Sequence, residues 1–287
     1  MARVVVVHGI NNTFVSRPQM AQAWGPAVVG GVELAAGRQG VLDADDIGYV
    51  AYGDVFRTPG RFLSDDVPQL TADDVADGLE TQLLLAWWEA AARADPAVAP
   101  PDGRTLGART SARAAVLALA GSRFLARVSE RVLVWWLKQV SAYFTRPDIR
   151  DTIRDRFATA VGPDTRVVVA HSLGSVVAYE ALCAHPQWPV TDLVTLGSPL
   201  GVPHVVLHRL EPAPSKEDGR LVGVWPGVRR WVNITDDGDF VALQPRLREV
   251  FGDRVTDVGI SNGIAAHQVQ RYLSAAETGA AVLAGLR

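Results

Sequence analysis

The sequence holds a single cysteine, Cys183, in 287 residues. One thiol excludes an intramolecular disulfide and any thiolate zinc cluster, since each needs at least two sulfurs, and its apolar neighbours read as core. Lysine is nearly as scarce: Lys138 and Lys216 are the only two, so almost all positive charge is arginine. Genomic base composition accounts for that ratio. Neither sign of charge dominates, because 28 basic residues meet 31 acidic ones for a net charge of −3. Without a basic stripe there is no electrostatic footprint for nucleic acid. GxGxxG and GxxxxGK patterns are missing, which argues against nucleotide chemistry. No run of about 18 apolar residues is available to span a bilayer. The segment from Met1 to Val7 has neither the apolar region nor the cleavage site of a signal peptide, so a cytoplasmic location is expected.

What is present suits a large core. Hydrophobic residues make up 48% of the chain and charged ones 21%, which excludes wholesale disorder. The length exceeds the roughly 100–200 residues usual for one domain, so one enlarged domain, or a domain with an insertion, is expected. Short β-branched runs recur at residues 3–7, 47–52, 166–170, 192–196, 230–235 and 254–259. Each is nearly continuously apolar, as in strands buried on both faces of a parallel sheet. Helical patterns at 21–36, 148–161, 175–184 and 265–273 separate or follow them. The alternation predicts an α/β protein, a doubly wound and mostly parallel sheet of about six strands.

The alternation breaks once. Residues 54–147 exceed what a crossover needs and contain two predicted helices, 71–94 and 111–144, joined by a Pro- and Gly-rich stretch. The division expected is a core of residues 1–53 and 148–287 with a helical lid or cap inserted between them. Both inserted helices carry Trp pairs, Trp87-Trp88 and Trp135-Trp136. Ordinary packing or a dimer interface explains such pairs as readily as an acyl pocket does.

The chemistry concentrates at Ala170-His171-Ser172-Leu173-Gly174, a strand, a sharp turn and a helix with serine at the apex. Small residues two before and two after the serine let strand and helix backbones approach, exposing the hydroxyl and aiming the Leu173 amide at a developing oxyanion. A second small-x-Ser-x-Gly segment, Gly259-Ile260-Ser261-Asn262-Gly263, matches better in spelling. No Asp follows it, however, so the order nucleophile, acid, histidine cannot be completed downstream. Ser172 has both partners. The acid is sought in Asp236-Asp237-Gly238-Asp239: Asp239 is preferred, Asp237 comes second, and Asp236 and Asp237 read as turn residues bonding their own backbone. The cluster lacks the spaced ligands of a calcium loop, and no metal is expected. His267 is the histidine after the last strand. His8, His171, His185, His204 and His208 fit less well, and the i, i+4 pair His204 and His208 lacks the Glu of a zinc-binding HExxH motif. A serine hydroxyl needs an imidazole to take its proton, and the imidazole needs a carboxylate to fix its tautomer. Ser172, His267 and Asp239 would fill those roles, with the amide of Ile10, after Gly9, as second oxyanion donor; Asn11 and Asn12 are alternatives to it.

On Val7-His8-Gly9-Ile10, the Ser172 turn, Thr195-Leu196-Gly197-Ser198-Pro199-Leu200-Gly201 and the Asp239 and His267 segments, the chain resembles the α/β-hydrolases of the serine lipase and esterase type. Ala170 stands where many members have Gly, and the antiparallel strands that open larger members are missing. The resemblance covers the sheet and not the insertion. It implies ester hydrolysis through an acyl-enzyme, without a cofactor, on a small-molecule ester or lipid-like substrate. An apolar acyl group and transient contact with a membrane surface suit the Trp-rich helices. Acyl transfer, thioester or peptide cleavage by the same triad, and a non-catalytic binding module of this fold, are the alternatives. No sequence feature speaks to oligomeric state.

Overall fold

Four consecutive valines form β1 (Val4–Val7), and all four are buried. Successive strand side chains point to opposite faces, and the packing divides accordingly. Val4 and Val6 share a cluster with Met20, Trp24, Val28 and Val32, whereas Val5 and Val7 belong to another with Phe157, Val176 and Trp87. The strand is therefore covered on both sides, which is why its sequence shows no polar alternation. A computed structural model describes residues 2–57, 68–101, 108–122, 128–239, 242–263 and 267–287, apart from the side chains of 108 and 109.

After β1 come α1 (Arg17–Ala36), β2 (Ile47–Val50), α2 (Leu79–Ala94), α3 (Ala108–Ala120), α4 (Glu130–Thr145) and α5 (Pro147–Ala160). They are followed by β3 (Val167–His171), α6 (Leu173–Ala184), β4 (Asp192–Leu196), β5 (Ser215–Glu217) and β6 (Arg220–Val222). The chain closes with β7 (Arg230–Asp236), α7 (Arg248–Phe251), β8 (Val255–Ile260), α8 (Val269–Leu273) and α9 (Ala276–Gly285). Six strands make one sheet in the order β2-β1-β3-β4-β7-β8, with every neighbouring pair parallel. This is the α/β architecture expected. Strand order reverses at β1, so the loops leaving β1 and β3 diverge at the carboxyl edge of the sheet, the place where open α/β sheets bind ligands.

Several boundaries differ from expectation, each for a local reason. The predicted helix 111–144 is two helices: α3 ends with Gly121 and Ser122 donating to the carbonyls of Ala118 and Leu119, a tightened last turn. The predicted helix 71–94 begins late. Thr71 and Asp74 cap a short 3₁₀ turn that ends at Val75, and Gly78 at φ 91° is the N-cap from which α2 starts. In the predicted helix 265–273, residues 265 and 266 lie outside the described residues and α8 begins at Val269. Helix α9 and the antiparallel pair β5 and β6 were not anticipated. The pair turns at Asp218-Gly219, both at positive φ, the type I′ signature.

Helices α2 and α4 share one continuous hydrophobic cluster with a face of the sheet. A buried charge network ties α4 to the rest. Glu180 on α6 is fully buried and accepts from Arg150 of α5, from the Tyr143 hydroxyl of α4 at 2.7 Å and from the Glu211 amide at 3.0 Å. Such a pair stabilises only when every lone pair is met, and here four donors meet one carboxylate. Among the described residues no helix is long and apolar enough to cross a membrane.

Candidate active site

Ser172 sits between β3 and α6 at φ 54° and ψ −129°. Non-glycine residues avoid that region, at a cost of about 1–3 kcal/mol, unless their surroundings over-determine it. Here they do. The Ser172 amide donates to the Leu196 carbonyl at 3.0 Å, and the Ser172 carbonyl accepts from the Ser175 amide and hydroxyl at 2.9 and 2.6 Å. Glycines on either side admit the turn: a Cβ on Gly174 would lie 2.3 Å from the His8 carbonyl oxygen, and one on Gly9 would lie 2.5 Å from the Ser172 Cβ. The loop after β1 therefore passes directly beside the serine. Leu173 occupies the first position of α6, where helix amides are unpaired and the dipole favours negative charge. Among the described residues, neither the Leu173 nor the Ile10 amide is spent on a turn or loop hydrogen bond.

The acid and the histidine meet across two loops. Asp239, after β7, is buried, and its Oδ2 lies 2.7 Å from His267 Nδ1. A carboxylate oxygen accepts, so at this contact the proton belongs to Nδ1, and in that neutral tautomer the ring's lone pair is at Nε2. Nε2 is buried and, among the described residues, without a hydrogen-bond partner. No hydrogen bond yet joins it to Ser172, a distance that closes in many enzymes only when substrate binds. The three neighbouring segments leave little slack. A Cβ on Gly197 would stand 2.5 Å from Asp239 Oδ2 and 3.3 Å from His267 Nδ1, and Gly197 itself has φ 51°. The other carboxylates are placed differently. Asp237 is exposed. Asp236 is buried and accepts from the Gly238 amide at 2.7 Å and from the Asn262 amide, so it fastens the acid's turn to the loop that follows β8. Ser261 is exposed on that loop, and residues 264–266 lie outside the described ones.

Tyr272 completes the acid's environment and had no distinguishing signal in the sequence. Its hydroxyl donates to Asp239 Oδ2 at 2.8 Å and accepts from the Asp236 amide at 2.9 Å; burial, then the Asp239 charge, raises its pKa. An apolar-faced tyrosine in a closing helix reads as core, which it also is.

Two further histidines are structural neighbours. His8 is fully buried: Nδ1 donates to the Gly9 carbonyl at 2.6 Å, and Nε2 accepts from the Tyr52 and Gly53 amides at 2.9 and 3.2 Å. Burial lowers its pKa to about 4, so it stays neutral and holds the loop carrying Ile10. The His171 ring lies 4.6 Å from that of His267. Burial, then the proximity of His267, holds its pKa well below the usual value. His185 stands at the opposite end of α6 from the serine; His204 and His208 are exposed, and His208 Nδ1 accepts from the His204 amide at 2.9 Å. No group of three or more metal-ligating side chains occurs among the described residues.

A cavity of about 20 Å³, lined by Ile10, Leu83, Trp87, Val140, Leu173 and Val206, adjoins Ser172 and Pro199. It has room for about one water. A larger, open and polar cleft of about 420 Å³ lies among Asp151, Arg154, Asp155, Ala181 and His185. Thirteen positions of α6 separate its His185 from Ser172, roughly 19 Å at 1.5 Å per residue, and it contains no nucleophile. Comparison with protein-family models, with curated proteins and with solved structures finds no match to this chain.

Proposed function

We propose that the chain is a serine hydrolase of the α/β-hydrolase kind that cleaves carboxylic esters with an apolar acyl group. The observation that carries the reading is the strained Ser172 at the head of α6, at the strand-order reversal, with a hydrogen-bonded His267 and Asp239 pair supplied by the next strands of the same edge. Ser172 Oγ attacks the ester carbonyl as His267 Nε2 takes its proton, and the amides of Leu173 and Ile10 hold the oxyanion. His267 then protonates the leaving alcohol. Water, deprotonated by the same nitrogen, releases the acid and restores the serine.

The apolar lining from Ile10, Leu83, Trp87, Val140 and Val206 suits an aliphatic acyl group over a charged one, and a cavity of about 20 Å³ admits such a chain only when its walls move apart. In this reading α2 and α4 act as a cap over the serine, and their aromatic residues suit substrates drawn from a lipid surface. Turnover of p-nitrophenyl esters of increasing chain length tests the proposal. Ser172→Ala should remove at least a thousandfold of the activity with an unchanged melting curve. Full activity in that variant would overturn it.

A further inference from the structure

Gln139 is a buried amide on α4, 1% exposed, in a helix face otherwise built from Leu133, Val134, Leu137, Val140 and Tyr143. Its Oε1 accepts the backbone amide of Asn11 at 3.1 Å. An amide N–H can only donate, so the side-chain oxygen must face Asn11 and the NH₂ must turn away. Among the described residues that NH₂ has no partner. Leaving it unmet is unfavourable in a dry interior, and leucine or methionine would fill the same space without it, at the loss of the acceptor for Asn11. Packing alone therefore does not account for glutamine here, and what the residue does is hold Asn11.

Asn11 stands next to Ile10, the second oxyanion donor of the proposed mechanism, and it adopts φ 64°. Asparagine tolerates that conformation but does not demand it, so the turn needs support. Some comes from within the loop, because Asn12 Nδ2 donates to the Gly9 and Ile10 carbonyls at 3.2 and 2.8 Å. Residues outside the loop add to it: His8 at the Gly9 carbonyl, Arg57 at the Thr13 carbonyl, and from α4 Gln139 at Asn11 and Trp135 Nε1 donating to Thr13 Oγ1 at 3.3 Å. The neighbouring Val140 lines the cavity beside Ser172. One helix thus bounds the substrate space and fixes the loop that stabilises the reaction's charge.

We infer that Gln139 is a positioning residue that holds the Ile10 amide in the oxyanion hole from helix α4, so that the hole is complete only when α4 is seated against the β1 loop. The inference rests on the proposed esterase reading. Two apolar replacements close to its size, Gln139→Met and Gln139→Leu, remove the acceptor and also the unmet NH₂. Each trades the unmet NH₂ for an Asn11 amide without an acceptor and should melt close to the wild-type temperature, yet lose about tenfold or more in kcat, with KM for a short p-nitrophenyl ester nearly unchanged. Labelling of Ser172 by a fluorophosphonate, which also needs the oxyanion hole, should slow by a similar factor. At pH 6, where burial keeps the introduced carboxyl neutral, Gln139→Glu retains a carbonyl acceptor for Asn11 and should recover most of the rate relative to wild type at the same pH. Wild-type kcat and labelling in both apolar variants, with Ser172→Ala inactive, would overturn the role of Gln139 and leave the esterase reading standing. A Ser172→Ala protein that keeps its activity would remove both.

Discussion

At the scale of single residues, the β1 end is organised by a histidine that does no chemistry. His8 spends its Nε2 lone pair on the Tyr52 and Gly53 amides, so protonation would break both bonds inside a dry site. The consequence for pH follows from its two pKa values. An unfolded chain takes the proton near 6.5, whereas the folded protein resists it until about pH 4. Between those values the unfolded state binds more protons, so acid destabilises the fold, by about 3 kcal/mol for this group at 1.36 kcal/mol per unit. Above pH 6.5 the contribution is constant. Urea midpoints at pH 7.5 and 4.5 should therefore fall more steeply for the wild type than for His8→Asn, which is weaker at pH 7.5 but lacks this titration. Parallel slopes would refute the assignment. Ser172, Asp239 and His267 could be singled out as candidates in the sequence because reactive residue types recur in a fixed chain order, and the structure brings Asp239 and His267 together. Tyr272 and Gln139 are not, because each is an ordinary residue type whose importance arises through space.

At the scale of elements, the strands announce themselves and the helix ends do not. Runs such as Val4–Val7 admit little besides a buried strand, while the breaks at Gly78 and Gly121 depend on backbone conformations that a smooth apolar pattern hides. Helix α9 was concealed because its contact is made by small residues. A Cβ on Gly279 would lie 1.8 Å from the Gly31 carbonyl oxygen of α1, so the two helices cross backbone to backbone. Gly279→Ala should destabilise the protein by about 1–3 kcal/mol, since the clash is with main chain and no side chain can yield. Gly30, one residue from the crossing, is exposed with nothing within 4 Å of its would-be Cβ. Gly30→Ala should add about 0.5–1 kcal/mol through helix propensity. Chemical denaturation of the pair checks both signs, and a neutral Gly279→Ala would contradict the close crossing.

At the scale of the molecule, the parallel sheet explains why residues far apart in the chain share one edge. Reversal of strand order at β1 brings the Gly9 loop against Ser172, and the adjacent strands deliver Gly197, Asp239 and the His267 loop in turn. A mostly parallel sheet of six strands could be anticipated from six apolar runs and their spacing; the order of the strands could not. The packing of 68–101 and 128–145 against the sheet could not, because an amphipathic helix does not name the surface it covers. The small cavity over Ser172 makes the proposed chemistry depend on α2 and α4 as much as on the triad. The central claim, that Ser172 is an activated nucleophile, is tested most directly by treating folded protein with a fluorophosphonate and mapping the adduct by mass spectrometry. A single adduct on Ser172, slowed at least a hundredfold by His267→Ala, is the result predicted. Folded protein that takes no label at Ser172, or that takes it equally well without His267, would contradict the account.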